Sequence, residues 1–142
     1  MTDGPIHCTV VSPERPLFDG YVDHLIVPGS EGELGFYPRH APLIGALGPG
    51  VVRLHIGDRI ERYAIRGGFV HVKRNVVTLL VTDAVKVTDT DIEAVQAELD
   101  AVIEALRSPG SAEEYEELQQ RRRWCEVRKS LMTETHGARK AH

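Results

Sequence analysis

Seven histidines are the residues of this chain best suited to bind a metal or to move protons near neutral pH. A zinc site usually takes two of its ligands from a short spacing such as H-x-H, H-x-x-x-H or H-E-x-x-H. No two histidines here have such a spacing. Their spread along predicted strands instead favours solvated edge positions. The sequence therefore predicts no metal site, and a small metal-dependent enzyme is kept only as an alternative.

Two carboxylates, Glu31 and Glu33, could in principle act as a general acid and a general base. Glycines flank them, and no apolar surroundings that would shift a pKa are visible, which favours ordinary surface carboxylates. The chain also lacks the G-x-x-x-x-G-K-S/T and G-x-G-x-x-G patterns of phosphate-binding loops. We therefore predict that the protein has no catalytic site of its own.

Three further positions attract attention because of their residue types. His40 is interpreted as a turn residue whose imidazole bonds nearby backbone. Arg121, Arg122 and Arg123 are consecutive, so they cannot all lie on one face of a helix. At least one of them is expected to point toward another helix or a partner. Trp124, which follows, is predicted to fill the seam between two helices.

Apolar alternation predicts the elements that hold these residues in the first part of the chain. Strands are predicted at residues 6–11, 21–27, 51–56, 60–65 and 69–72. Val76 to Val81 is nearly continuous apolar sequence, which predicts a central strand buried on both faces. Asp19-Gly20 and Gly57-Asp58 are typical of tight turns. Residues 28–52, rich in Gly and Pro but also in large apolar groups, predict turns and short extended pieces packed on a sheet.

The apolar period changes from two to 3.6 residues at Thr88, which predicts helices in the rest of the chain. Thr90 to Glu93 and Ser111 to Glu114 have the capping-box pattern, and Ser108-Pro109-Gly110 separates the two segments. Two helices joined by a short turn form an antiparallel hairpin. The predicted fold is an N-terminal antiparallel β-sandwich, residues 1–88, followed by a C-terminal antiparallel α-helical hairpin, residues 89–142, with a frayed tail.

Composition limits the classes of function. The net charge is −4 over 142 residues, and it arises in the predicted helical part, where twelve acidic residues outnumber eight basic ones. Nucleic-acid binding is disfavoured, because it calls for a basic face. Cys8 and Cys125 are interpreted as reduced thiols. No apolar run approaches the roughly 20 residues of a membrane helix, and the polar start, Thr2 to Pro5, does not resemble a signal peptide.

Several motifs are recognisable together. They are SPERPLFDG at residues 12–20, GSEGELG at 29–35, P-x-HAPL at 38–43, L-x-PGVVR at 47–53 and GGFV at 67–70. In this order and spacing, over residues 8 to about 92, they resemble the epsilon subunit of F-type, proton-translocating ATP synthases. Arg39 and Arg66 depart from the family, which usually has a glycine or another small residue there. Both are expected to change surface chemistry and to leave the fold intact.

The resemblance implies a non-catalytic subunit of the central stalk. In the family the sandwich binds the gamma subunit and rests on the ring of membrane c subunits, so that rotation is coupled to ATP synthesis. By that resemblance Ser30, Glu31 and Gly32 would contact the c ring. The location implied is the cytoplasmic face of the bacterial plasma membrane, as a peripheral protein, with the plastid thylakoid as alternative. Nucleic acid and direct membrane insertion are not expected.

The resemblance also implies a regulatory role for the hairpin. In the family it folds against the sandwich or extends toward the catalytic beta subunits, where basic residues inhibit ATP hydrolysis. The candidates here are Arg121, Arg122, Arg123, Arg128 and Lys129. Some bacterial members bind regulatory ATP through I/L-D-x-x-R-A. Leu118 and Arg122 match this motif, but Gln119 replaces the aspartate and Arg123 the alanine, so no cofactor is predicted. A stand-alone sandwich that binds a small ligand is the alternative function.

Overall fold

The computed structural model describes residues 5–86, 88 and 90–140, with side chains described up to residue 132. Residue contacts divide the chain into two compact units, residues 1–84 and 85–142. The first unit is built of strands and the second contains the helices. The predicted domain limits, 1–88 and 89–142, follow the change in sequence period and stay a prediction.

The first unit is a β-sandwich, which confirms the predicted fold class. Its strands are β1 (Ile6–Val11), β2 (Pro16–Val22), β3 (His24–Gly29), β4 (Gly32–Phe36), β5 (Leu43–Leu47), β6 (Gly50–Ile56), β7 (Arg59–Ile65), β8 (Gly67–Lys73) and β9 (Val76–Thr82). Eight of them follow the order β7-β6-β3-β5-β8-β9-β1-β2, and β4 pairs with β3. The sheet folds back on itself so that β2 contacts β6. Two layers therefore enclose one core.

The pairing is antiparallel at every described neighbour in this order except one, since β1 and β9 run parallel. The strands β7, β6 and β3 join the strands β5, β8, β9, β1 and β2 through the β3–β5 contact. This contact is a single residue pair, Gly29 with Leu47. A parallel neighbour needs a long connection, and here seven strands lie between β1 and β9 in the chain. The sequence pattern did not indicate this pairing.

The core is formed by alternate side chains of the strands. Its largest fully buried members are Tyr63, Phe36, Ile6, Leu25 and Leu54. At about 25 cal/mol per Å² of apolar surface removed from water, this burial is the main stabilising term. It fixes which face of each strand points outward, and so determines the surface available for partners.

The predicted strand over residues 21–27 has the wrong limits, because the strand is interrupted at Asp23, which separates β2 from β3. The Asp23 amide donates to the His55 carbonyl oxygen at 2.8 Å, and its Oδ2 accepts the Gly57 amide at 2.7 Å. These bonds form a corner between β2 and β3. The turn predicted at Asp19-Gly20 is also wrong, since both residues lie inside β2, paired with Thr9 and Cys8. The turn at Gly57-Asp58 is confirmed, with Gly57 at φ 59°.

The second unit contains a short strand β10 (Val85–Lys86) and two helices, α1 (Ile92–Ala105) and α2 (Ala112–Lys140), which form the predicted hairpin. Asp91 caps α1 by accepting the Glu93 and Ala94 amides, so Thr90 is not the cap. Ser111 accepts the Glu114 amide at 3.1 Å, as a helix cap does. None of the described helices is long and apolar enough to cross a lipid bilayer.

Candidate interaction surfaces

One outer side of the sandwich exposes large apolar side chains. We call it the apolar face and define it by Ile44 of β5, Phe69 of β8, Val76 and Leu80 of β9, and Tyr21 of β2. They are 74%, 59%, 48%, 55% and 46% exposed, respectively. The register brings them together, because Phe69 lies opposite both Leu80 and Ala46, and Ile44 lies opposite His71. A patch of neighbouring large apolar groups is typical of a docking surface.

The sequence prediction that Val76 to Val81 is buried on both faces is wrong. Val77, Leu79 and Val81 enter the core, whereas Val76 and Leu80 point outward. A continuous apolar strand is consistent either with two buried faces or with one core face and one docking face. Here the second of these explanations applies, because Val76 and Leu80 form part of an exposed apolar surface.

The predicted ring-contact residues form a projecting hairpin turn. Gly29 pairs with Gly32, which leaves Ser30 and Glu31 at the tip, and Gly32 has φ 137°. The base of the turn is fixed, since the Ser30 amide donates to the Ala46 carbonyl oxygen at 3.0 Å. Ser30, Glu31 and Gly32 are all exposed. The three residues thus lie together on a rigid support, although their role stays a prediction.

The two carboxylates near this tip have different surroundings. Glu33 accepts a hydrogen bond from Arg53 Nη1 at 2.8 Å. Glu31 has no ion-pair partner within the residues the structure describes. The pair is therefore not arranged as a shared acid and base, and Glu31 is the charge that the turn presents to solvent.

The histidines are more tightly held than the sequence suggested. His24 stacks on His55 with ring centroids 4.1 Å apart and on Tyr37 at 4.9 Å. Burial, followed by the neighbouring His24, lowers the pKa of His55. His40 contacts the Ala41 carbonyl oxygen at 2.7 Å, in agreement with its interpretation as a turn residue. Among the described residues, no three His, Cys, Asp or Glu side chains lie close enough to hold a metal ion.

The basic residues of the hairpin differ in exposure and in the ion pairs they form. Arg121 and Arg123 are exposed, as is Lys129, whereas Arg122 forms an ion pair with Glu126 at 3.4 Å. Arg128 instead reaches α1, where its Nη2 donates to Glu98 Oε1 at 3.0 Å. Its guanidinium carbon also lies 5.2 Å from the ring centroid of Trp124, which is buried. The hydrogen bond from Arg128 lowers the pKa of Glu98.

The segment that partly matches the nucleotide motif lies on α2. Leu118 is buried, and Gln119 donates its side-chain amide to Tyr115 Oη at 2.8 Å. A hollow of about 480 Å³ beside this segment is lined by Glu116, Gln119, Gln120, Arg122, Arg123 and Glu126. Its lining carries two carboxylates and two guanidinium groups, so the formal charges cancel. The hollow therefore gives no independent support for a nucleotide site.

Comparisons with known proteins identify the family. The protein-family model described as ATP synthase, delta/epsilon chain, beta-sandwich domain, matches residues 5–87 of this chain. The ATP synthase epsilon chain of Leptospira borgpetersenii is 44% identical over 89 residues, which cover 63% of this chain and 70% of the relative. The ATP synthase epsilon chain of Verminephrobacter eiseniae is 41% identical over 107 residues, which cover 75% of this chain and 78% of the relative.

Two solved structures have a similar fold. One is the Euglena gracilis mitochondrial ATP synthase, OSCP/F1/c-ring, with a TM-score of 0.82 and 22% identity over 93% of this chain and 84% of that one. The other is the Tetrahymena thermophila mitochondrial ATP synthase central stalk and c-ring. Its TM-score is 0.60 and its sequence identity 14%, and the match covers 93% of this chain and 99% of that one. At these identities the likeness establishes the fold, whereas the family follows from the matching model and relatives. This chain belongs to the ATP synthase epsilon-chain family.

Proposed function

We propose that this chain joins the gamma subunit of the central stalk to the ring of c subunits, so that proton-driven rotation is coupled to ATP synthesis. The subunit itself is not catalytic. Support comes from the two structural neighbours, which are ATP synthase assemblies that contain a c-ring and, in the Tetrahymena thermophila case, the central stalk. The relatives reported above come from bacteria. The proposed location is accordingly the cytoplasmic face of the bacterial plasma membrane, at its periphery.

The apolar face carries this proposal, because it is the surface by which a non-catalytic subunit could be held on a shaft. Its five exposed side chains lie on β5, β8, β9 and β2, which follow one another in the sheet with β1 between β9 and β2. Covering them by a partner removes apolar area from water, which favours association. The partner proposed is the gamma subunit. A free ligand-binding module would have no comparable need for an open apolar face.

We expect Phe69→Ser to weaken binding to purified gamma subunit about tenfold, corresponding to about 1–2 kcal/mol for one interface aromatic. Binding is measured by titration calorimetry. Tyr37→Ser is the matched control, because Tyr37 is 54% exposed and Phe69 59%, but Tyr37 stacks on His24 instead of lying on the apolar face. Equal binding by both variants would exclude the apolar face as the docking surface.

The contact with the c ring is assigned in this proposal to Ser30, Glu31 and Gly32. A projecting tip on a fixed base suits a contact that must transmit torque without bending. Each exposed charge contributes only about 0–1 kcal/mol, so the turn alone would hold the ring weakly. Attachment therefore depends on several contacts that act together with gamma.

Glu31→Lys is expected to reduce the amount of ring that co-purifies with the assembled stalk by up to about fivefold, because it reverses the exposed charge at the tip. The protein should remain folded, because the Glu31 side chain is exposed. Asp58→Lys, an equal charge change on the exposed β6–β7 turn, serves as control. An unchanged ring content in Glu31→Lys would refute the assignment.

The helical hairpin is proposed to inhibit ATP hydrolysis by reaching the catalytic beta subunits when it extends. Arg121, Arg122, Arg123, Arg128 and Lys129 are its candidate contacts. Arg121 and Arg123 are exposed and available, whereas Arg128 must first leave Glu98 and Trp124. The Glu98–Arg128 contact would then favour the closed hairpin. Regulatory ATP at Leu118 and Arg122 is not part of the proposal, because Gln119 and Arg123 stand where the motif has an aspartate and an alanine.

A further inference from the structure

A basic cluster, defined by Arg39, Lys73 and Arg74, lies at one end of the apolar face. Lys73 ends β8 and Arg74 follows it in the turn to β9. Both line a hollow of about 360 Å³ together with His71 and Val76. Lys73 pairs with Val76, a member of the apolar face, and Phe69 lies on the same side of β8. The outward surface is therefore apolar around Phe69 and Leu80 and cationic at the turn.

The cluster has no internal counter-charge. In the part of the chain that the structure describes, Arg39, Lys73 and Arg74 form no ion pair. Other arginines of the sandwich do, since Arg53 pairs with Glu33 and Arg66 with Asp83. On the strands that carry the apolar face and on β1, the exposed carboxylate is Asp19, and it is bonded to His7 at 2.7 Å. These positive charges are therefore available to pair with carboxylates of a partner.

The backbone holds the cluster in place by an uncommon conformation. Arg39 has φ 66° and Arg74 φ 59°, both in the left-handed region that costs a side-chain-bearing residue energy. Asn75 joins the two turns and β1. Its Oδ1 accepts the Arg39 amide at 2.7 Å, and its carbonyl oxygen accepts the His7 amide at 2.9 Å. The charges are therefore displayed from a fixed frame, which is the arrangement that a specific contact requires.

We propose that the gamma surface covering the apolar face carries carboxylates opposite Lys73 and Arg74, which attract it and set its orientation. This inference rests on the proposed function and adds to it the charge of the partner surface. A purely apolar patch does not define a rotational orientation, whereas a charged end does, because reversed docking would leave the cations unpaired. Complementary charges chiefly raise the association rate, and salt screens that effect.

The test uses the full chain and purified gamma subunit from the same organism, with association rates measured by stopped flow at about 50 mM and 500 mM salt. The variant is Lys73→Gln/Arg74→Gly, in which glycine adopts the left-handed backbone at no steric cost. Arg15→Gln/Arg59→Gln, which removes two charges at other exposed positions, is the matched control. A second arm titrates each protein with ATP and with inorganic phosphate.

We expect association of the Lys73/Arg74 variant to be about fivefold slower at low salt and nearly equal to that of the unmodified chain at high salt. Phe69→Ser should instead raise the dissociation rate. An association rate equal to that of the control refutes the charge inference even if Phe69→Ser still weakens binding. Phosphate binding that is lost in the variant, with unchanged gamma association, would reassign the cluster to a small anion. If the unmodified chain does not bind gamma, the proposed function falls as well.

Discussion

Gly68→Ala is expected to destabilise the sandwich by about 3–5 kcal/mol, a large part of the stability of a small domain. A Cβ at this position would overlap the Leu80 carbonyl oxygen and lie 2.9 Å from Val81 Cα, both in the backbone of β9. Gly68 also has φ 142°. Since the atoms it would meet are backbone atoms, no side-chain rotation relieves the overlap. The β8–β9 pair would have to separate where it positions Phe69 and Leu80.

Gly57→Ala is the control for this prediction. Gly57 also has a positive φ, at 59°, but a Cβ there meets nothing within 4 Å. Its substitution should cost only the backbone term, about 1–2 kcal/mol. Urea unfolding of both variants measures the difference. If Gly68→Ala and Gly57→Ala were equally stable, close approach of β9 would not be the reason for the glycine.

Deleting residues 89–142 is expected to raise ATP hydrolysis by the assembled catalytic head by about fivefold or more, as is typical of the loss of a regulatory coupling. The buried core of the sandwich consists of residues of the first unit, and one hydrophobic cluster of the hairpin consists of Val95, Leu99 and Cys125. The sandwich should therefore stay folded and bind gamma without the helices. The physical cause of the increase would be removal of the basic side chains proposed to contact the beta subunits.

A full-length variant distinguishes the loss of these basic side chains from the loss of the helices themselves. Neutralising Arg121 and Arg123 leaves the hairpin intact, because both are exposed, and it should reproduce part of the increase. Steady-state hydrolysis is measured with the stalk reconstituted from each form. Flat activity after the deletion would mean that the hairpin is not inhibitory here. An increase after the deletion but not after neutralisation would assign inhibition to the helices and exclude these two charges.

The order of elements could be predicted from local patterns, whereas their pairing could not. Alternation located β1, and a two-residue turn located the β6–β7 hairpin, since both depend on neighbours in the chain. The parallel β1–β9 pair joins segments about 70 residues apart, for which local sequence carries no signal. The break at Asp23 was missed for the same reason, as its partners are His55 and Gly57.

The candidate surfaces show the same division. The turn that carries Ser30 and Glu31 could be predicted because Gly and Ser are local turn signals, whereas its role at the c ring is implied by the family resemblance and stays a prediction. The apolar face was missed because Val76 and Leu80 resemble core residues in sequence. The basic cluster was missed because Arg39 and Arg74 are 35 positions apart and meet through Asn75. Single residues were therefore identified more reliably than the surfaces they form.

By itself the sequence determined the family, the change from strands to helices and the turn that carries Glu31, because motifs, hydrophobic period and turn chemistry act between near neighbours. Only the tertiary structure decided which apolar residues are left in water and which charges are left without a counter-charge. These depend on how distant strands pair. A side chain is buried or exposed according to what covers it, and in this sandwich the covering strand comes from elsewhere in the chain.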